Sequence, residues 1–143
     1  MPPPASDADP ALAPLIAAAR AARANAYAPY SNFPVGAALR GAGGRVFSGA
    51  NVENAAYPES QCAEASAIGQ MIATGEHRIA ALVVIGGEQP CPPCGGCRQR
   101  LAEFAGPELP IHLCAPSGTL LQSLTLGALL PLAFGRDSMN RKP

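Results

Sequence analysis

Seven consecutive apolar residues, Ile79 to Ile85 (IAALVVI), most constrain how this 143-residue chain can fold. A strand without polar alternation buries both of its faces, so it needs a covering layer on each side. Segments with helical character flank it along the chain. Asp9 followed by Pro10 has the form of an N-cap with proline at the first helical position, leading a helix to about Ala26. Leu12, Leu15, Ile16 and Ala19 recur along it at helical spacing and give it one apolar face. Residues 35–39 and 46–48 read as strands of a hairpin turned by glycines at 41–44. Residues 61–74 read as a buried helix stopped by Gly75, and residues 94–105 as a helix ended by Gly106 and Pro107. Residues 111–115 form a further buried strand and 126–130 a last short helix. The order α-β-β-α-β-α-β predicts an open sheet with helices on its faces. Residues 113–135 carry no charge, but Pro116, Gly118, Gln122, Ser123 and Pro131 mark turns between short buried elements, not a membrane span. One domain over residues 8–136 is expected, between a flexible arm at 1–7 and a tail at 137–143.

Ten basic residues cancel ten acidic ones, which argues against polynucleotides and anionic membranes as partners. The basic residues are Lys142 and nine scattered arginines, with no stripe to track a phosphate backbone. Hydrophobic residues at 48% against 14% charged exclude a disordered tail protein. With 29 alanines, 15 glycines, 16 prolines and no tryptophan, the core of one chain is thin. Burial of further surface in an oligomer would compensate.

The five cysteines point to chemistry. The opening MPPPASDADP has no basic start and no apolar segment, so a reducing cytoplasm is the expected compartment. Clustered cysteines there bind metal or do redox chemistry more often than they form disulfides. Cys62 precedes Ala63 and Glu64, and Cys94 and Cys97 follow in the second segment. Three protein ligands leave the fourth tetrahedral position of zinc open, which separates catalytic from structural zinc. Cys94 and Cys97 share a helix face in a first turn, where the helix dipole favours thiolates. Glu64 can serve as general acid/base beside such a metal only if Cys62 stands at the very start of its helix. The spacing leaves alternatives open. Cys91 and Cys94 make a second CxxC, suited to a zinc pair or to thioredoxin-like redox chemistry. A closed structural site could take His77 or His112 as fourth ligand. Cys114, inside an apolar strand, has the setting of an ordinary buried thiol.

C-A-E followed by P-C-x-x-C resembles the zinc nucleobase deaminase signature. A cysteine as first ligand resembles the small cytidine deaminases. The blocks YSNFPVGAAL (30–39), GANVENAAYP (49–58) and LLPLAFG (129–135) extend the resemblance from about Tyr27 to Gly135. It implies a three-layer α/β/α sandwich with a central mixed sheet. It further implies one Zn²⁺ per subunit held by Cys62, Cys94 and Cys97, with Glu64 as proton shuttle. Phe33 would pack on the pyrimidine, the Ala63 backbone would contact the base, and Asn51 and Glu53 would hydrogen-bond the ribose. Phe134 would line a neighbour's pocket in a homotetramer with shared sites. The implied reaction is pyrimidine salvage: zinc-bound hydroxide attacks C4 of cytidine or 2′-deoxycytidine, giving uridine or 2′-deoxyuridine and ammonia. The rivals are a deaminase of a modified cytosine nucleoside resembling blasticidin S, and a non-catalytic zinc module. One position departs from the pattern. The family often carries Arg after C-A-E, where this chain has Ala65. Three thiolates on Zn²⁺ leave a formal −1, and Arg98 beside Cys97 is expected to offset it.

Overall fold

The computed structural model describes residues 9–139. Asp9 caps the first helix as its sequence predicts, its carboxylate accepting from the Ala11 N–H at 2.9 Å. The first turn is tighter than expected: a 3₁₀ turn, Pro10–Leu12, leads into α1 (Ala13–Ala24). Then follow β1 (Gly36–Gly41), β2 (Val46–Ala50), α2 (Ala63–Ala73), β3 (Ile79–Ile85) and α3 (Gly95–Phe104). The chain continues through β4 (Pro110–Cys114), β5 (Leu120–Thr125), α4 (Leu126–Leu129) and α5 (Arg136–Met139).

The five strands form one sheet in the order β2-β1-β3-β4-β5. β3 and β4 run parallel and the other neighbours antiparallel, so the sheet is mixed. The apolar run of β3 lies near its centre and is buried on both faces, as its composition requires. Alternation sorts its side chains. Leu82 and Val84, with Ala37 and Leu39 of β1, pack against Ala67, Ile68 and Met71 of α2 and Leu101 of α3. Ala81, Val83 and Ile85, with Ala38, pack against Leu12, Leu15 and Ala19 on the α1 side. This is the three-layer α/β/α arrangement.

Two glycines bring both layers close. A β-carbon at Gly36 would lie 2.0 Å from the Ala19 carbonyl oxygen, and one at Gly49 would lie 2.5 Å from the Ala67 nitrogen. Small residues therefore seat α1 on β1 and α2 on β2 at backbone distance.

One strand departs from expectation. β5, inside the stretch read as turns, pairs antiparallel with β4 from Pro110↔Thr125 to Cys114↔Leu120. It is an edge strand, mostly half-buried or exposed, and its sequence LLQSLT lacks the strict alternation that marks a strand with one core face. The arm at 1–7 lies outside the described residues. Of the tail, Asp137 to Met139 belong to α5 and the remainder lies outside them.

Candidate active site

Two helix starts build the site. Cys62 is the N-cap of α2 and Cys94 the N-cap of α3, both with extended backbone. Their carbonyls accept the first helical bonds, from Ser66 N at 3.1 Å and Arg98 N at 2.9 Å. Cys97 follows three residues after Cys94 on the same helix end. The Cys62 and Cys94 sulfurs lie 3.7 Å apart, and all three Sγ atoms lie within 4.8 Å of one another. Tetrahedral zinc with Zn–S bonds of about 2.3 Å sets sulfurs about 3.8 Å apart, so the trio fits that ion. Three soft thiols suit zinc in chemistry as well.

Among the described residues this metal-competent cluster contains no histidine. His112 sits on β4, where its Nδ1 pairs with Ser123 Oγ at 2.8 Å. Cys91 is also outside the cluster. The closed site with a histidine ligand and the Cys91–Cys94 pair therefore both give way to an open three-thiol site.

Glu64 falls in the first turn of α2, where the chain is still turning in. Its side chain is 4% exposed, the buried charged residue among those described. Burial pushes its carboxyl up, against the pull of its own N–H, the Cys97 thiol and the Arg100 guanidinium. Burial also drives the Cys97 thiol far up, aided by the negative charge of Glu64 and the other cysteines. Cys62 is raised by burial and by its contact with Cys94. Cys94 behaves oppositely. Burial opposes ionisation there, but the Cys97 N–H and the thiols of Cys62 and Cys97 hold it below the usual thiol range. A cation is what would let all three ionise together.

A loop at residues 30–35 leads into β1, and two polar residues hold it. The Asn51 amide donates to Phe33 O at 2.9 Å and accepts from Val35 N at 2.8 Å. The Glu53 carboxylate accepts from Tyr30 N at 2.9 Å, from Ser31 N at 3.0 Å and from the Ser31 hydroxyl. The Ser31 hydroxyl and N–H, with the Tyr30 N–H, hold its carboxyl below the usual range against the opposing effect of desolvation. Phe33 is 45% exposed. It shares one glycine with Cys91: a β-carbon at Gly86 would lie 2.7 Å from Cys91 Cβ and 3.1 Å from Phe33 Cζ. Gly86 and Cys91 thus shape the ground beneath Phe33, which no sequence motif announces. Phe134 stands apart, with its carbonyl accepting from Gln99 Nε2 at 2.9 Å and its ring 58% exposed.

Arg98 does not reach the sulfurs. Its guanidinium donates to Pro93 O at 2.7 Å and Leu129 O at 2.8 Å, tying the approach to Cys94 onto α4. Among the described residues no hydrogen bond joins it to a cysteine. The cation acting on Glu64 is instead Arg100, which no motif singles out.

The cytidine and deoxycytidylate deaminase zinc-binding region matches the chain over residues 12–113. The chain belongs to the cytidine deaminase family. That family is one of zinc-dependent hydrolases, and the three thiols lie close enough together to form a zinc site. A cytidine deaminase of Sporosarcina psychrophila is 41% identical over 127 residues, covering 88% of this chain and 93% of the relative. One from Mycobacterium tuberculosis H37Rv is 44% identical over 123 residues, covering 85% and 87%. Among solved structures, the cytidine deaminase of Burkholderia pseudomallei superposes with a TM-score of 0.79 at 47% identity, covering 85% of this chain and 97% of that one. No helix among the described residues is long and apolar enough to cross a membrane.

Proposed function

We propose that this chain hydrolyses cytidine and 2′-deoxycytidine to uridine and 2′-deoxyuridine, releasing ammonia. The observation that carries the reading is a buried carboxylate, Glu64, in the first turn of the helix capped by one of three clustered thiols. Zn²⁺ held by Cys62, Cys94 and Cys97 supplies, when bound, a water acidified toward neutrality. Glu64 takes a proton from the attacking water and delivers it to N3 of the cytosine. The same carboxylate then carries the second proton to the amino group on C4, which leaves as ammonia.

The remaining residues position the nucleoside. Phe33 stacks on the pyrimidine from its half-exposed place at the loop. The first-turn N–H of Ala63 has no intrahelical acceptor and faces the base. Asn51 keeps one amide hydrogen and one lone pair beyond its loop bonds, and Glu53 keeps a free lone-pair site, so both can also reach the ribose. The enzyme acts in the cytoplasm in pyrimidine salvage.

The working form is a homotetramer in which Phe134 lines a neighbour's pocket. Exposed Tyr27 and Val52, joined by a β-bridge, and exposed Tyr30 and Tyr57, whose rings meet edge to face, support this, because contiguous exposed apolar surface calls for a partner. Mixing Glu64→Gln with Phe134→Ala subunits tests it: shared sites restore activity in the mixture, and separate sites do not.

Ultraviolet-monitored turnover of zinc-quantified protein tests the reaction. Loss of the cytosine band with stoichiometric ammonia is expected, and its absence in Glu64→Gln. Zinc-loaded protein inert on cytidine but active on a blasticidin-S-like nucleoside would replace the substrate.

A further inference from the structure

Zinc with three thiolates carries a formal −1, and the buried Glu64 carboxylate adds to the negative charge there. Ala65 supplies no cation on the α2 side, and Arg98 is committed to the carbonyls of Pro93 and Leu129. A different arginine, Arg100, lies on α3, and its charge acts on Glu64. The Arg100 side chain folds back one turn along its helix, so that a β-carbon at Gly96 would lie 2.9 Å from its Nη1. Gly96 is the residue between Gly95 and Cys97, on the same helix end as two of the three sulfurs. The absent side chain at Gly96 is the seat of the guanidinium. The fold-back follows the natural direction of helical side chains, toward the N-terminus and the i−4 position.

We propose that Arg100, seated on Gly96, is the positioning cation that offsets the negative charge of the Cys62–Cys94–Cys97 site and tightens its hold on zinc. The assignment rests on the zinc reading of those thiols. It makes Gly96 a determinant of metal affinity without any contact to the metal. An alanine there would push the flexible end of Arg100 away while favouring the helix itself.

The test is zinc affinity of the full-length protein at low salt, by competition with a chromophoric chelator. Zinc stoichiometry of the unaltered protein is measured first. Arg100→Gln is expected to weaken zinc binding about tenfold, at the low end of outer-sphere effects because the side chain is exposed to solvent. Arg100→Lys should retain most of the affinity. Gly96→Ala should weaken binding like Arg100→Gln while its metal-free melting temperature stays level or rises. Raising the salt should shrink the difference between the unaltered protein and Arg100→Gln. Equal zinc affinity in the unaltered protein, Arg100→Gln and Gly96→Ala would overturn the role of Arg100 and leave the zinc site standing. Failure of the unaltered protein to take up zinc would overturn both.

Discussion

The sulfurs of Cys62 and Cys94, 32 positions apart in sequence, lie 3.7 Å apart because each residue caps a helix on the same side of the sheet. Capping has two consequences. It places both thiols where unpaired N–H groups favour negative charge. It also lets Glu64, two residues past one cap, turn inward beside the cluster, which a regular helix would not allow.

Removing the metal is expected to loosen the whole domain, since the starts of two helices meet at the thiols. At zinc about 100-fold above its dissociation constant, binding adds about 2.7 kcal/mol. Chelation or Cys97→Ser should then lower the melting temperature by about 5–10 °C for a domain of this size. Calorimetry with and without chelator checks this, and an unchanged transition would refute it.

Glu64→Gln should lower kcat by about 10²–10⁴-fold, the usual worth of a positioned proton shuttle. Zinc content should not change. The melting temperature should hold or rise, because burial disfavours the charged carboxylate in the unaltered protein. A marked loss of stability would show that Glu64 braces the fold.

Glu53 gives a pH-dependent contact. Its carboxyl lies below the ordinary 4.5, held chiefly by the Ser31 hydroxyl and the Ser31 N–H. A depressed acid favours the folded loop above the unfolded-state pKa and loses that contribution as pH falls through the folded value. Amide exchange at Tyr30 and Ser31 should therefore be protected at neutral pH and accelerate, beyond intrinsic chemistry, below about pH 4. Glu53→Gln should show weak protection at every pH and a raised KM with kcat little changed.

Arg98→Ala removes two bonds from a guanidinium to backbone carbonyls. A loss of about 2 kcal/mol is expected, with a melting temperature lower by about 4–8 °C. The pH–rate profile should keep its shape, because Arg98 ties the chain before Cys94 and does not touch the sulfurs. A shifted profile would return Arg98 to the role of charge partner.

Much of the fold was legible in the residues. The run of β3 has no polar face, so it required covering on both sides, and the Asp9–Pro10 cap located the first helix. β5 was not legible, because an edge strand shared between solvent and β4 has no periodicity of its own. The three cysteines that cluster and Glu64 were legible as a motif, whereas spacing alone left Cys91, His77 and His112 as rivals.

By itself, then, the sequence determined which side chains were available: three soft thiols, one carboxylate beside the first of them, and an apolar strand to build around. The tertiary structure decided which of them meet. Ligand choice depends on sulfurs 3.7 Å apart across two helix ends. The role of Arg98 depends on carbonyls of Pro93 and of Leu129, 31 positions away. The seat of Arg100 depends on how its side chain folds back over a glycine. Short-range interactions in a sequence set helices, caps and strands, but distances between charges follow from packing of the layers, which no local pattern encodes.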